Sequence, residues 1–302
     1  VSDSFYDMIL YYAMGGGLGH LTRSVAILRA APALRGSVRL MASSRHAALV
    51  CAAAPCPLDI VEGDILTSRR RYAQFLTAYL ERHAVTAIVL DTFPFGLVGE
   101  WLELGATLPR LLLARSLKWR AYARILPHIV GRWPERTLAL EPLTREYERL
   151  LVAQSRLSTL DAPILFEDDA NGIPATWQKT SDCLIVHSGG EAERELLRQA
   201  ARRAFGATQP DGLFPERGIY PAEPILAQYA QLVSAAGYNM AAFASQAPPE
   251  RTHLLYPMPR RFDNQYLRAE RICDGYWSRQ RHDGARQAAE WLQDGLGVPP
   301  IK

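Results

Sequence analysis

One stretch near the start of the chain, Gly15-Gly16-Gly17-Leu18-Gly19-His20-Leu21-Thr22-Arg23, concentrates the groups best suited to chemistry. Four glycines in five positions let the backbone approach a ligand closely, and a run with helical patterning follows from Ser24 to Leu28. The start of such a helix offers unpaired N–H groups and a partial positive charge, which suits an anionic or sugar-phosphate ligand. His20 stands where loop becomes helix. There an imidazole could act as general base on a hydroxyl or water, or donate a hydrogen bond to a phosphate. The positive helix end favours its neutral, base-competent form. The plainer alternative is a histidine that caps or packs the helix start.

Two familiar phosphate loops fit poorly. A dinucleotide fingerprint needs a third glycine where His20 stands, and an acid after the second strand, which Val38–Ser44 lacks. A Walker loop would need Gly-Lys-Ser/Thr, which does not follow. Two later corners repeat the strand, glycine turn and helix pattern. Cys183–Val186 runs into His187-Ser188-Gly189-Gly190-Glu191, and Gln231–Ser234 runs into Ala235-Ala236-Gly237-Tyr238-Asn239. Asp91 closes the apolar run Ala87–Leu90 ahead of Thr92-Phe93-Pro94-Phe95-Gly96. It could be a second base, a partner that orients His20, or a structural acid at a strand end.

The elements that must position these residues alternate between strand and helix. Met8–Met14, Val38–Ala42, Leu58–Val61, Ala87–Leu90 and Pro109–Ala114 read as strands, Ser68–Arg82 and Thr144–Leu157 as helices, and Ile164–Phe166 as a further strand. This pattern implies an α/β layer with a parallel sheet, and the second half restarts it. Asp263–Arg271 and Gly284–Leu292 read as closing helices. With 302 residues, two domains are the default, and the polar stretch Asp168–Pro174 is taken as their junction. Solvated acids, rather than a metal site, are the usual reading of Asp168-Asp169 in such a linker. We therefore expect domains at 1–170 and 171–302, the last helix packing back on the first.

A formal charge of +3 is small for this length and argues against nucleic acid as a partner. Cys51, Cys56, Cys183 and Cys273 lack zinc-ligand spacing and read as reduced thiols. No segment reaches the ~20 apolar residues needed to span a bilayer and no signal peptide is visible, so a cytoplasmic location is expected. Lys118–Arg132 mixes aromatic, aliphatic and basic positions around Pro127. It reads as a half-buried connection, with weak peripheral membrane contact or acceptor docking as the alternative.

The loop Gly15–Arg23 resembles the amino-terminal loop of GT-B-fold glycosyltransferases related to the MurG-type N-acetylglucosaminyl transferases. Val89–Gly96, Val186–Gly190, Ser234–Asn239 and Pro257–Glu270 resemble later stretches of that family, in the same order. The resemblance implies an α/β fold of two Rossmann-like domains with parallel sheets facing across a cleft. It implies an enzyme transferring a sugar from a nucleoside-diphosphate sugar, UDP-sugar first among them, to an acceptor, with inversion and without a metal or other cofactor. The nucleotide sugar would lie on the C-terminal side. Ser188, Gly189, Gly190, Gly237, Tyr238 and Asn239 would present backbone to its diphosphate, Arg260 or Arg261 would add positive charge, and Asp263 and Gln265 would bind sugar hydroxyls. Gly16, Gly17, Gly19 and Arg23 would form the acceptor side, with His20 as base and Asp91 beside it.

Two departures stand against this. The family's helix after the Gly-Tyr-Asn corner carries a glutamate for the ribose, where this chain has Met240-Ala241-Ala242-Phe243. The small glycine-rich turn that should follow is Ser245–Glu250. Two alternatives therefore remain. Gly17-x-Gly19-His20-x-x-Arg23 is also similar to the loop of a nucleotide-sugar hydrolase of the same fold, with His20 activating water. The chain could also be a catalytically weak nucleotide-sugar-binding protein.

Overall fold

A computed structural model describes residues 8–61, 63–104, 108–126, 132–166, 173–277 and 283–299. The expected junction at 170/171, the Asp168-Asp169 pair, and Pro127, Ile129 and Val130 lie outside the described residues.

The chain builds two parallel sheets. The first contains β1 (Ile9–Ala13), β2 (Val38–Ala42), β3 (Leu58–Ile60), β4 (Ala87–Asp91), β5 (Arg110–Ala114), β6 (Arg136–Ala139) and β7 (Arg156–Thr159). Its order is β3-β2-β1-β4-β5-β6-β7, with Ile9 paired to both Val38 and Ala87. The second contains β8 (Cys183–Val186), β9 (Asp211–Leu213), β10 (Gln231–Ala235) and β11 (Thr252–Tyr256), in the order β11-β10-β8-β9. Two parallel sheets with intervening helices are the fold that the resemblance implies.

β1 shows why the apolar runs form central strands. Ile9, Tyr11 and Ala13 enter the core on one face of the first sheet, and Leu10, Tyr12 and Met14 that on the other. Both faces are covered, so the strand reads as continuously apolar rather than alternating. Helix α1 (Leu18–Arg29) returns over one face and α2 (Arg69–Arg82) over the other. A short helix α3 (Trp119–Ala123) and α4 (Arg145–Gln154) complete this part of the chain.

Around the second sheet lie α5 (Glu191–Phe205), the single turn α6 (Glu223–Leu226), α7 (Tyr238–Ser245) and α8 (Gln265–Cys273). The last helix, α9 (Gly284–Gly295), packs against α1 and β6. At the start of α9, Gly284 permits a close approach to the backbone at Ala162–Pro163, because a Cβ would lie 2.5 Å from the Ala162 carbonyl oxygen. No helix among the described residues is long and apolar enough to cross a membrane.

Some expectations change. Ile164–Phe166 forms no strand; Ile164 and Phe166 are buried and Leu165 half-buried beside α1 and α7, so apolar character came from packing and not from a ladder. β6, β7 and β9 are short and partly polar, which hides them from a search for apolar runs. The cap of α8 is Asn264, whose side chain accepts from Leu267 N, so Asp263 lies before the helix.

Candidate active site

In an open parallel sheet, ligands bind beyond the carboxyl ends of the strands, where the strand order reverses. In the first sheet that point lies between β1 and β4. His20 is on α1 just after β1, and Asp91 is the last residue of β4. His20 Nδ1 and Asp91 Oδ2 are 2.5 Å apart. Arg23, one turn further along α1, donates from Nη2 to both Asp91 oxygens at 2.6 Å. Immediately after Asp91 the chain bends through Thr92, which has a φ of 73°, a left-handed conformation unusual for a β-branched residue.

The ring of His20 is 15% exposed at its side chain and stacks on Phe93, 6.2 Å between centroids. It folds back over Gly15, where a Cβ would lie 2.5 Å from Nε2. The first glycine of the loop therefore makes room for the imidazole. A hydrogen bond from Nδ1–H to Asp91 leaves Nε2 as the basic nitrogen. Burial pushes His20 below the usual histidine range, further than Asp91 draws it back. Burial works to raise Asp91, but Arg23 and then His20 outweigh it and hold the carboxyl well below its ordinary value.

The second sheet reverses order between β8 and β10, and the two later glycine corners follow those strands. At the first, Gly190 caps α5 and nothing lies within 4 Å of where its Cβ would be. A Cβ on Gly17 would lie 3.8 Å from Ser188 Oγ, so the first loop and the Ser188 loop meet. His46, from the loop after β2, also reaches the Ser188 backbone. Behind the turn, His187 Nε2 and Glu193 Oε2 are 2.6 Å apart over Gly189, and Arg260 pairs with Glu193, its Nη2 at 2.8 Å.

At the second corner Gly237 caps α7, and its surroundings are likewise open. Tyr238 turns inward instead. Its hydroxyl accepts from Ile164 N at 3.2 Å and donates to Leu140 O at 3.5 Å. The guanidinium of Arg23 lies 5.1 Å from the ring centroid and that of Arg115 at 5.5 Å. Asn239 lines a small pocket with Thr22, Arg23 and Phe243. Ala241 and Ala242 are fully buried in the core shared with α1, which leaves no room on that face of α7 for a ribose-binding glutamate.

The expected sugar-binding residues are engaged within the protein. Asp263 accepts from Arg268 at 2.6 and 3.1 Å and from Arg115 at 3.4 Å. Gln265 is 4% exposed, and its Oε1 accepts from Met258 N at 2.9 Å. Arg261 is exposed, its guanidinium 4.8 Å from the Phe262 ring centroid. Gly16 and Gly19 have nothing within 4 Å of a Cβ and keep the first loop slim.

Sequence reasoning missed the seam beneath these loops. Arg268 of α8 binds Glu141 at 2.5 and 2.7 Å and donates to Ala236 O at 2.8 Å. The chain at Lys118 and Ser116 also exchanges backbone hydrogen bonds with Phe262 and Asn264. A signal was present: Asp91, Arg115 and Glu141 are charged residues at or just after the apolar ends of three adjacent strands.

No family model matches the chain. No curated protein matches it in sequence. Solved structures do. Over 97% of this chain and 96% of its own, the glycosyltransferase SsfS6 of Streptomyces sp. SF2575, complexed with thymidine diphosphate, superposes with a TM-score of 0.55 at 13% identity. The spinosyn rhamnosyltransferase SpnG complexed with thymidine diphosphate gives 0.53 at 12% identity, covering 97% of each chain. S. aureus MnaA with UDP gives 0.53 at 9% identity, covering 98% of each. The chain has the GT-B fold, with His20, Asp91 and the two later glycine corners at the reversal points of its two sheets.

Proposed function

We propose that this protein transfers a sugar from a nucleoside-diphosphate sugar to an acceptor hydroxyl, with His20 as general base. The observation that carries the reading is the His20–Asp91 pair at the reversal point of the first sheet, on a loop whose Gly17 meets the Ser188 loop of the second. Neighbouring structures with thymidine diphosphate or UDP bound support a pyrimidine nucleotide, and UDP-sugars are the first donors to test.

In the proposed reaction His20 Nε2 takes the acceptor proton as the oxygen attacks the anomeric carbon. The bond to the diphosphate breaks on the opposite face, so the configuration inverts. Asp91 holds the ring and stabilises the imidazolium. The leaving diphosphate takes the bonding electrons, and its charge falls to the amides at the start of α5 and to Arg260. No step in this scheme calls for a metal. A second reading, hydrolysis of the same donor, is favoured by the narrow access to His20, 15% exposed beside Phe93, which suits a water.

Incubation with UDP-, TDP-, GDP- and ADP-sugars tests both readings. Free sugar released without an acceptor selects hydrolysis, and turnover only with an acceptor selects transfer. His20→Ala should lower either rate roughly 10²–10⁴-fold. If no nucleotide or nucleotide sugar raises the melting temperature, both readings fail.

A further inference from the structure

Arg23 is expected on the acceptor side of the first loop, but it is 1% exposed and its Nη2 turns inward to Asp91. Its partners lie on both sides of the seam. Nη2 reaches both oxygens of Asp91 at 2.6 Å, and Nη1 donates to Gly19 O at 3.3 Å. Its guanidinium carbon lies over the ring of Tyr238, the first residue of α7 and the neighbour of Gly237, 5.1 Å from the centroid. A guanidinium can serve a carboxylate and an aromatic face at once because it is flat, delocalised and weakly hydrated. Arg115 approaches the same Tyr238 ring, so the ring contacts two buried cations, and Arg115 is in turn paired with Asp263 and Glu141.

We propose that Arg23 is a positioning residue, seated by Tyr238, that fixes Asp91 against His20 and so ties the state of the base to the Gly237–Asn239 corner of the second sheet. This rests on the glycosyl-transfer reading for its purpose, though not for its physics. The groups facing His20 are Asp91 from β4, Arg23 from α1 and Arg115 from the end of β5. Arg23 acts on the imidazole in two ways. Its own charge disfavours imidazolium, and by engaging both oxygens of Asp91 it draws off part of the carboxylate's attraction for a proton on His20. Tyr238 does neither, but its ring lies beneath the guanidinium and keeps it beside Asp91. Displacing α7 at the Gly237 corner would therefore reach His20 through an aromatic ring and one arginine.

An NMR titration of the His20 imidazole reads this directly and does not depend on turnover. Wild type should titrate below the ordinary histidine value. Arg23→Gln should move the titration upward, and Arg23→Lys should restore only part of the shift, because it returns the charge without the fork that engages both oxygens of Asp91. Tyr238→Leu should move it in the same direction as Arg23→Gln, with no further movement in the double variant. Tyr238→Phe keeps the ring but loses the hydroxyl bonds to Ile164 and Leu140, and should titrate like wild type. An unmoved titration in Arg23→Gln overturns the proposal. So does a Tyr238→Phe shift as large as that of Tyr238→Leu, which would place the effect in general packing. Addition of UDP separates the two levels. UDP at a concentration that saturates both proteins by calorimetry, and that perturbs the His20 resonance in wild type but not in Tyr238→Leu, supports the coupling. UDP that fails to bind wild type removes the donor reading while the Arg23 titrations still decide the positioning role. UDP that perturbs both proteins equally overturns the coupling to the corner.

Discussion

His20 lies over Gly15 so closely that a Cβ on Gly15 would sit 2.5 Å from the imidazole Nε2. Gly17, two residues on, has only Ser188 Oγ near its own Cβ position, at 3.8 Å, an ordinary contact. Gly15→Ala should therefore expel the ring from its place beside Asp91. Misplacing a catalytic group by about 1 Å can cost on the order of 10²-fold in rate. The loss should appear in kcat, with the KM for the donor little changed, whereas Gly17→Ala should stay within a few-fold of wild type. Steady-state kinetics on the pair checks this, and equal losses would mean that the loop acts as a whole.

The pH profile follows from the sign of the His20 shift. Burial favours the neutral ring, so the base remains competent below the ordinary histidine value of 6.5. Activity should be level above that pH and fall only at lower pH, as imidazolium forms. The same group opposes folding in acid, because the unfolded chain binds the proton first. Its stabilising share is full above 6.5 and is lost as pH falls through the folded value. In His20→Ala the residual rate should lose this acid limb, and an unchanged limb would assign it to another group.

How far these features could be read from the chain depends on their range. The glycine corners and central strands depend on neighbouring residues: β1 is apolar throughout because both faces are covered, and Gly190 and Gly237 stand where helices begin. Pairings across the fold leave no such trace. Arg268 and Glu141 are 127 positions apart, and only the folded chain shows that each neutralises the other. Asp263 and Gln265 resemble sugar ligands by type and order, yet their polar atoms meet Arg268, Arg115 and Met258. Their side chains hold the two sheets together, a role that residue type and order alone do not reveal.

Glu141 should be the costliest of these residues to remove. It is 1% exposed, binds Arg268 through both oxygens and accepts from Ser116 N at 2.9 Å. Burial works to raise its carboxyl, but Arg268 and then Arg115 overcome this and lower it. Glu141→Ala leaves the buried Arg268 and Arg115 to share Asp263 alone as their carboxylate, and breaking a buried pair costs up to about 3–5 kcal/mol. Because Arg268 lies on α8 and Glu141 follows β6, the loss should weaken both sheets together. Urea unfolding followed near Trp101 and near Trp177 should shift to the same lower midpoint. A shift at one tryptophan alone would show that the sheets unfold independently.

Arg260 and Arg261 should separate by partner. Arg260 is held by Glu193 at the start of α5, where the diphosphate is proposed to bind, while Arg261 is exposed over Phe262. Arg260 is the first cause that lowers Glu193, to about 2, so the acid is charged throughout the working range. That carboxylate competes with any phosphate for the same guanidinium. A hydrogen bond to a charged group is worth about 1.5–3 kcal/mol, so Arg260→Gln should weaken UDP binding roughly tenfold or more. Glu193→Gln should strengthen it by freeing Arg260, and Arg261→Gln should leave it near wild type. Calorimetric titration with UDP distinguishes the three. If Arg261→Gln costs as much as Arg260→Gln, the diphosphate lies further out along the loop than the start of α5.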